Sequence, residues 1–255
     1  MSENPVLSKQ RKEQLHNEII PIAHEFRKKY LDDGPIIDTF KTLEELGYFV
    51  VRFPTKSELS GFHIKKGEYD CIFVNSSHSL GRQYFSAWHE CYHAYTGDGG
   101  GISLFNEIKL NETEYKAECF ASCILMPDDL VKNYARKSLP KNMKYISYQD
   151  LIKMQAFFKV SYSALITRLR VIFPQFDATF KSRYTLGTQQ NAQKLIDKTK
   201  EYNGDLSLIS RTNKLVIPES FYQTVYNNLQ NDRISSDKVQ RLLEMLESVK
   251  KKYEL

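Results

Sequence analysis

The stretch Phe85-Ser86-Ala87-Trp88-His89-Glu90-Cys91-Tyr92-His93-Ala94 constrains this chain more than any other. It holds two histidines four residues apart, with a glutamate directly after the first. An α-helix turns about 100° per residue, so His89 and His93 project from one face and can share a metal ion. Glu90 then falls beside the ion's open position, where a carboxylate can take a proton from water. Neutral imidazoles suit zinc, and a catalytic zinc site needs a third protein ligand with the fourth position left for water. The five-residue pattern also turns up by chance in solvated helices. Here Ala87, Trp88, Cys91, Tyr92 and Ala94 surround it with apolar bulk, so the helix reads as buried. Histidines and a glutamate buried together are costly unless something satisfies them, and a zinc ion does so.

The third ligand is expected from a second helix. Thr113 to Met126 carries apolar residues at helical spacing and stops at Pro127. Glu114, Ala117, Glu118, Ala121 and Leu125 fall on one stripe, and the two alanines let a neighbouring helix come close. Glu114 is the expected third ligand. Glu118, one turn later, either orients a ligand histidine through its other ring nitrogen or is itself the ligand. Tyr92 and Tyr95 are close enough in sequence to stand as candidate oxyanion stabilisers, among 16 tyrosines in all. His16, His24, His63 and His78 read as ordinary surface, strand or turn residues.

Two blocks in this order, Arg82-x-x-Phe85-Ser86-x-x-His89-Glu90-x-x-His93 and Glu114-x-x-Ala117-x-x-Phe120-Ala121-x-x-x-Leu125-Met126-Pro127, closely resemble the ImmA/IrrE family of zinc-dependent metallo-endopeptidases. The likeness extends to Ser60-Gly61, Ile72-Phe73-Val74-Asn75 and Phe157-Phe158-Lys159-Val160-Ser161, and covers positions 15 to 170. The sequence departs from the family at Cys91-Tyr92, where smaller or aliphatic residues are common, and at Glu118, where Asn is common. The resemblance implies an α+β, zincin-like core of a small sheet with two ligand helices. It implies one zinc per chain, held by His89, His93 and Glu114, with Glu90 as general base. It also implies a substrate: a helix-turn-helix transcriptional repressor whose cleavage switches on a stress response or a mobile element. Manganese would accept the same two histidines and carboxylate.

Along the chain, Lys9 to Tyr30 reads as an amphipathic helix with Pro21 as a kink or restart, and Ile37 to Leu46 as a helix ending at Gly47. Strands at 48–53, 60–64 and 69–75, the last two joined by a turn at 65–68, give a small sheet placed before the metal helix. An edge strand of such a sheet can hold a peptide through its backbone. Thr96 to Gly101 reads as a flexible loop. Residues 1–135 are expected to form the peptidase domain, and 136–175 a helix-turn-helix-like segment packed on it. Residues 176–255 are read as an extension with a hairpin at 206–217 and terminal helices, open to a partner. Arg168 and Arg170 on the second helix of the middle segment raise a rival reading, a DNA-binding or scaffold regulator with a structural or inactive metal site.

The 255 residues carry a net charge of +5, scattered without a long basic run, which permits an acidic partner without requiring one. Four cysteines lack disulfide or Cys-x-x-Cys spacing. No apolar signal core and no membrane-length run is present, so a cytoplasmic protein is expected. The sequence does not decide the oligomeric state.

Overall fold

A computed structural model describes residues 7–56, 58–98, 102–104 and 111–252. Helix α1 (Lys9–Tyr30) starts at Ser8, whose side chain accepts from the Arg11 amide, and continues unbroken through Pro21. Its Leu15, Ile19, Ala23 and Phe26, spaced at three and four residues, form the buried face. Helix α2 (Thr39–Glu45) is capped by Asp38, which accepts from the amides of Phe40 and Lys41.

Strands β1 (Phe49–Phe53), β2 (Leu59–Lys66), β3 (Tyr69–Asn75) and β4 (Ile102–Leu104) form one sheet in the order β1-β3-β2-β4. β1 runs parallel to β3, and the other pairings are antiparallel. The turn between β2 and β3 needs a left-handed residue, supplied by Gly67 at φ 62°. β4 was not foreseen; it lies in the connection after the metal helix and pairs with the outer side of β2.

Helix α3 (Leu80–Thr96) carries the His-Glu-x-x-His pattern and packs on β2 and β3 on one side and on α4 (Glu112–Leu125) on another. α4 in turn lies along α1. Trp88 sits in the middle of this core, fully buried, with its indole Nε1 donating to Thr39 Oγ1 at 3.1 Å. Buried Arg27 ties the same layer together by donating to the carbonyls of Ile124, Asp32 and Gly34.

α5 (Asp128–Ser138) leads into α6 (Tyr148–Phe158) and α7 (Tyr162–Ile172), the expected helix-turn-helix shape. α6 opens on a capping box between Ser147 and Asp150. A β-carbon on Gly81 would stand 2.5 Å from the Ser161 amide nitrogen and 2.6 Å from the Val160 carbonyl carbon, so a glycine there lets the first turn of α3 press on the α6–α7 turn. Arg168, 2% exposed, donates to the Met126 carbonyl at 2.9 Å and pairs with Asp128 at 2.6 Å. Arg170 pairs with Asp177. Arg168 is thus engaged inside the fold, and Arg170 in a partly exposed ion pair.

Beyond α8 (Asp177–Tyr184) and α9 (Ala192–Glu201), the hairpin expected at 206–217 does not form. Leu206–Ile209 is a 3-10 turn, and the two halves bridge to the core separately: Arg211 to Ser79, and Val216 to Arg52. The Asn213 amide donates to the Ser76 carbonyl, Ser76 Oγ to the Lys214 carbonyl, and Gln83 Nε2 to Thr212 Oγ1. The backbone of Arg52 on the edge strand β1, and the turn between β3 and α3, take up the backbone groups of these segments. α10 (Glu219–Gln230) and α11 (Ser236–Lys252) follow and contain no fully buried residue. Among the described residues, no helix is long and apolar enough to cross a membrane.

Candidate metal centre

α3 ends at Gly97, whose φ of 71° admits the reversal that a side chain would resist. That reversal carries the Asp98 carbonyl back onto its own helix, 2.7 Å from His93 Nδ1. A carbonyl oxygen only accepts, so the ring proton of neutral His93 resides on Nδ1 and its Nε2 offers a lone pair. That Nε2 lies 3.3 Å from His89 Nε2 and 3.4 Å from Glu114 Oε1, while His89 Nε2 lies 3.0 Å from Glu114 Oε2. Glu114 reaches the histidines from the first turn of α4, which approaches α3 closely because Ala117 and Ala121, both fully buried, carry little bulk.

Without a metal ion, a proton on His89 Nε2 can bridge to Glu114, while the His93 Nε2 lone pair faces the same carboxylate; a cation bound by all three groups takes the place of that proton. Zinc–nitrogen bonds of about 2.0–2.1 Å at tetrahedral angles separate neighbouring donor atoms by about 3.3 Å. The three separations seen here, 3.0 to 3.4 Å, bracket that value. Among the described residues, His89, His93 and Glu114 form one group whose ligand atoms all lie within 4.8 Å of one another. The donor set fits a zinc ion.

Burial and charge act on the two rings differently. For His89, burial disfavours the charged form, but the hydrogen bond to Glu114 and the charges of Glu90, Glu114 and Glu118 outweigh it and raise the pKa. For His93, burial dominates and lowers it, in spite of the Asp98 carbonyl. Glu118 is half-buried, and burial lifts its carboxyl above the usual range, with His89 opposing and Glu114 reinforcing. It therefore lies within electrostatic reach of His89 and Glu114 but outside the group of three.

Glu90 is 1% exposed. It lies against β2: a β-carbon on Gly61 would come within 3.1 Å of both Cγ and Oε1 of Glu90. Tyr92 is buried beside the His93 ring, and its hydroxyl is aimed at Asp98 at 3.4 Å. Tyr95, two residues past His93, is turned into an aromatic cluster with Phe26, Tyr30 and Phe120. The glycines at 99–101, read as a loop admitting substrate, lie outside the described residues.

Reasoning from sequence named Gly61 in the family likeness and weighed His63 as an ordinary strand residue, but gave neither these two nor the Asp98 carbonyl a role at this centre. Gly61 had a signal, since glycine inside a strand marks close approach of another group. His63 had none. It pairs with Asp70 across β2 and β3 at 2.8 Å and lies near enough to His93 to help lower its pKa. The Asp98 carbonyl had none either, because any residue carries one. The thiols are not part of the centre: all four cysteines are free, and burial pushes Cys91 and Cys119 up to about 12.

A mixed sheet covered by a helix with two histidines one turn apart, and a second helix delivering a carboxylate to both, makes a site fit to hold a metal ion. The IrrE N-terminal-like domain, a peptidase family, matches residues 43–170, and the chain belongs to that family. No curated protein matches the chain.

Proposed function

We propose that this protein is a zinc-dependent endopeptidase that cuts a helix-turn-helix transcriptional repressor and so relieves repression of a stress response or a mobile element. The observation that carries the hydrolytic reading is the convergence of His89, His93 and Glu114 with Glu90 one residue from the first ligand. The repressor follows from the resemblance to the ImmA/IrrE peptidases. Residues 1–135 form the peptidase domain in this reading, 136–175 brace it, and 176–255 serve a partner.

His89 Nε2, His93 Nε2 and the Glu114 carboxylate would hold the ion. Once bound, zinc supplies Lewis acidity toward a peptide carbonyl and makes water easier to deprotonate. Glu90 takes the proton from the attacking water on a carboxylate oxygen and delivers it to the leaving amine nitrogen. The carbonyl of Asp98 holds the His93 proton at Nδ1 and so fixes the ring's direction. Glu118 biases His89 by charge.

The experiment compares new protein N-termini in a host-cell lysate after adding metal-loaded wild-type chain or its Glu90→Gln variant. One or a few termini produced only by the wild type support the reading and name the substrate; identical patterns with zinc on both proteins count against it. The rival, a DNA-binding regulator, draws on the α6–turn–α7 shape. With Arg168 bonded to Met126 and Asp128, and Arg170 to Asp177, that segment has less cationic surface to offer a phosphate backbone.

A further inference from the structure

We propose that β4 is an internal competitor for the substrate, a short strand that occupies the edge of β2 until an extended peptide replaces it. The inference rests on the peptidase reading. Without β4, β2 would be the edge of the sheet, with one row of backbone groups open to a pairing chain. β4 takes that row at Leu59, Gly61 and Phe62, through Leu104, Ser103 and Ile102. Gly61 is also the residue packed against Glu90. The backbone groups nearest the general base are therefore held by the protein's own chain.

Two features make this pairing exchangeable. β4 has three residues, against seven and eight in β3 and β2, so its ladder is short. The ladder is also irregular: the register shifts between Leu59 and Gly61, leaving Ser60 as an extra residue on β2. In the chain, β4 lies between α3, which carries His93, and α4, which carries Glu114. It stays close to the edge when released and can return after turnover. A substrate taken up this way must arrive as an extended strand, since a helix has no free backbone groups to pair. The cut in a helix-turn-helix protein then falls in a linker or an unfolded tail.

The test uses the full metal-loaded chain and β-casein as an unstructured substrate. Ser103→Pro removes an amide hydrogen from β4 and disfavours its pairing; kcat/KM is expected to rise several-fold. Phe62→Cys with Ile102→Cys places two thiols at directly opposed positions; the oxidised form should be inactive and regain activity on reduction. The proposal is overturned if the oxidised form cuts as fast as the reduced one, or if Ser103→Pro keeps its melting temperature and zinc and gains nothing. Where Ser103→Pro does not fold, the disulfide pair decides. Hydrogen exchange separates this proposal from the peptidase reading. In the Glu90→Gln variant, casein should speed exchange of β4 amides while Gly61 and Phe62 stay protected. That result with no cleavage by any variant sinks the peptidase reading and keeps the strand exchange; unchanged β4 amides sink the exchange.

Discussion

Gly61 leaves Glu90 no room for a neighbour: a β-carbon at position 61 would stand 3.1 Å from Glu90 Oε1 and 2.8 Å from the Phe73 carbonyl oxygen. The second contact is with backbone, which cannot swing aside. Gly61→Ala is therefore expected to displace β2 or Glu90. Overpacking of this kind costs about 1–3 kcal/mol. A lower melting temperature together with a kcat/KM reduced at least about tenfold, at unchanged zinc content, is the expected result. Zinc measured by atomic absorption keeps the two effects apart.

Glu114 and Glu118 are one turn apart on α4, yet only Glu114 reaches both histidines. Glu114→Gln should abolish stoichiometric zinc binding. Glu118→Gln should leave one zinc per chain and weaken affinity by about 10–100-fold, the range for a group that tunes a ligand. Calorimetric titration of both variants checks this, and the reverse order would exchange their roles.

Protons compete with zinc for His89. Its pKa in the metal-free fold is raised above the ordinary 6.5, burial being outweighed by Glu114, Glu90 and Glu118. A raised folded pKa contributes stability that is fully present below the unfolded value and fades as pH rises through the folded value. The metal-free chain thus gains from His89 in acid, while zinc needs the ring neutral. The rise in melting temperature on adding zinc should be small at pH 5.5 and grow towards pH 8.

His78 moves the opposite way. Burial, Arg82 and Arg211 push its pKa down to about 4. Between pH 6.5 and 4 the unfolded chain takes a proton that the folded one refuses, so stability falls as pH drops through that window. At 1.36 kcal/mol per unit the upper bound is about 3.4 kcal/mol, and solvent screening of this partly exposed ring keeps the loss below it. Arg211→Ala should raise the His78 pKa in an NMR titration and shrink the acid-side loss.

Truncation separates the two parts of the C-terminal region. Ending the chain after Pro218 removes helices that bury no residue fully, and should lower the melting temperature by a few degrees or less. Ending it after Tyr202 also removes buried Leu208 and the hydrogen bonds to Ser76, Gln83 and Leu80. One buried leucine and a few hydrogen bonds amount to about 3–6 kcal/mol. Differential scanning calorimetry of both chains gives the comparison.

The parts of this molecule that were legible in the sequence are those whose signal is local. His89 and His93 are set by helical spacing and the β2–β3 hairpin by its glycine turn, whereas the alanine stripe on the next helix offered both Glu114 and Glu118, and the structure brings Glu114 to both histidines. β4 was illegible because three residues carry no periodicity, and its strand character comes from pairing with β2. The segment 206–217 was misread for a related reason. Its alternation suggested that the two halves pair with each other, whereas Arg211 and Val216 each found a partner in the core. Long-range pairing outcompeted the local choice.

Trp88 is the chain's single tryptophan, it immediately precedes His89, and it is fully buried with Phe26 edge-on at 5.9 Å. The molecule thus carries an optical probe built into the helix that would hold the ion. Its ultraviolet emission comes from one chemically defined place, so zinc uptake, acid unfolding and substrate engagement can be followed on the unlabelled chain.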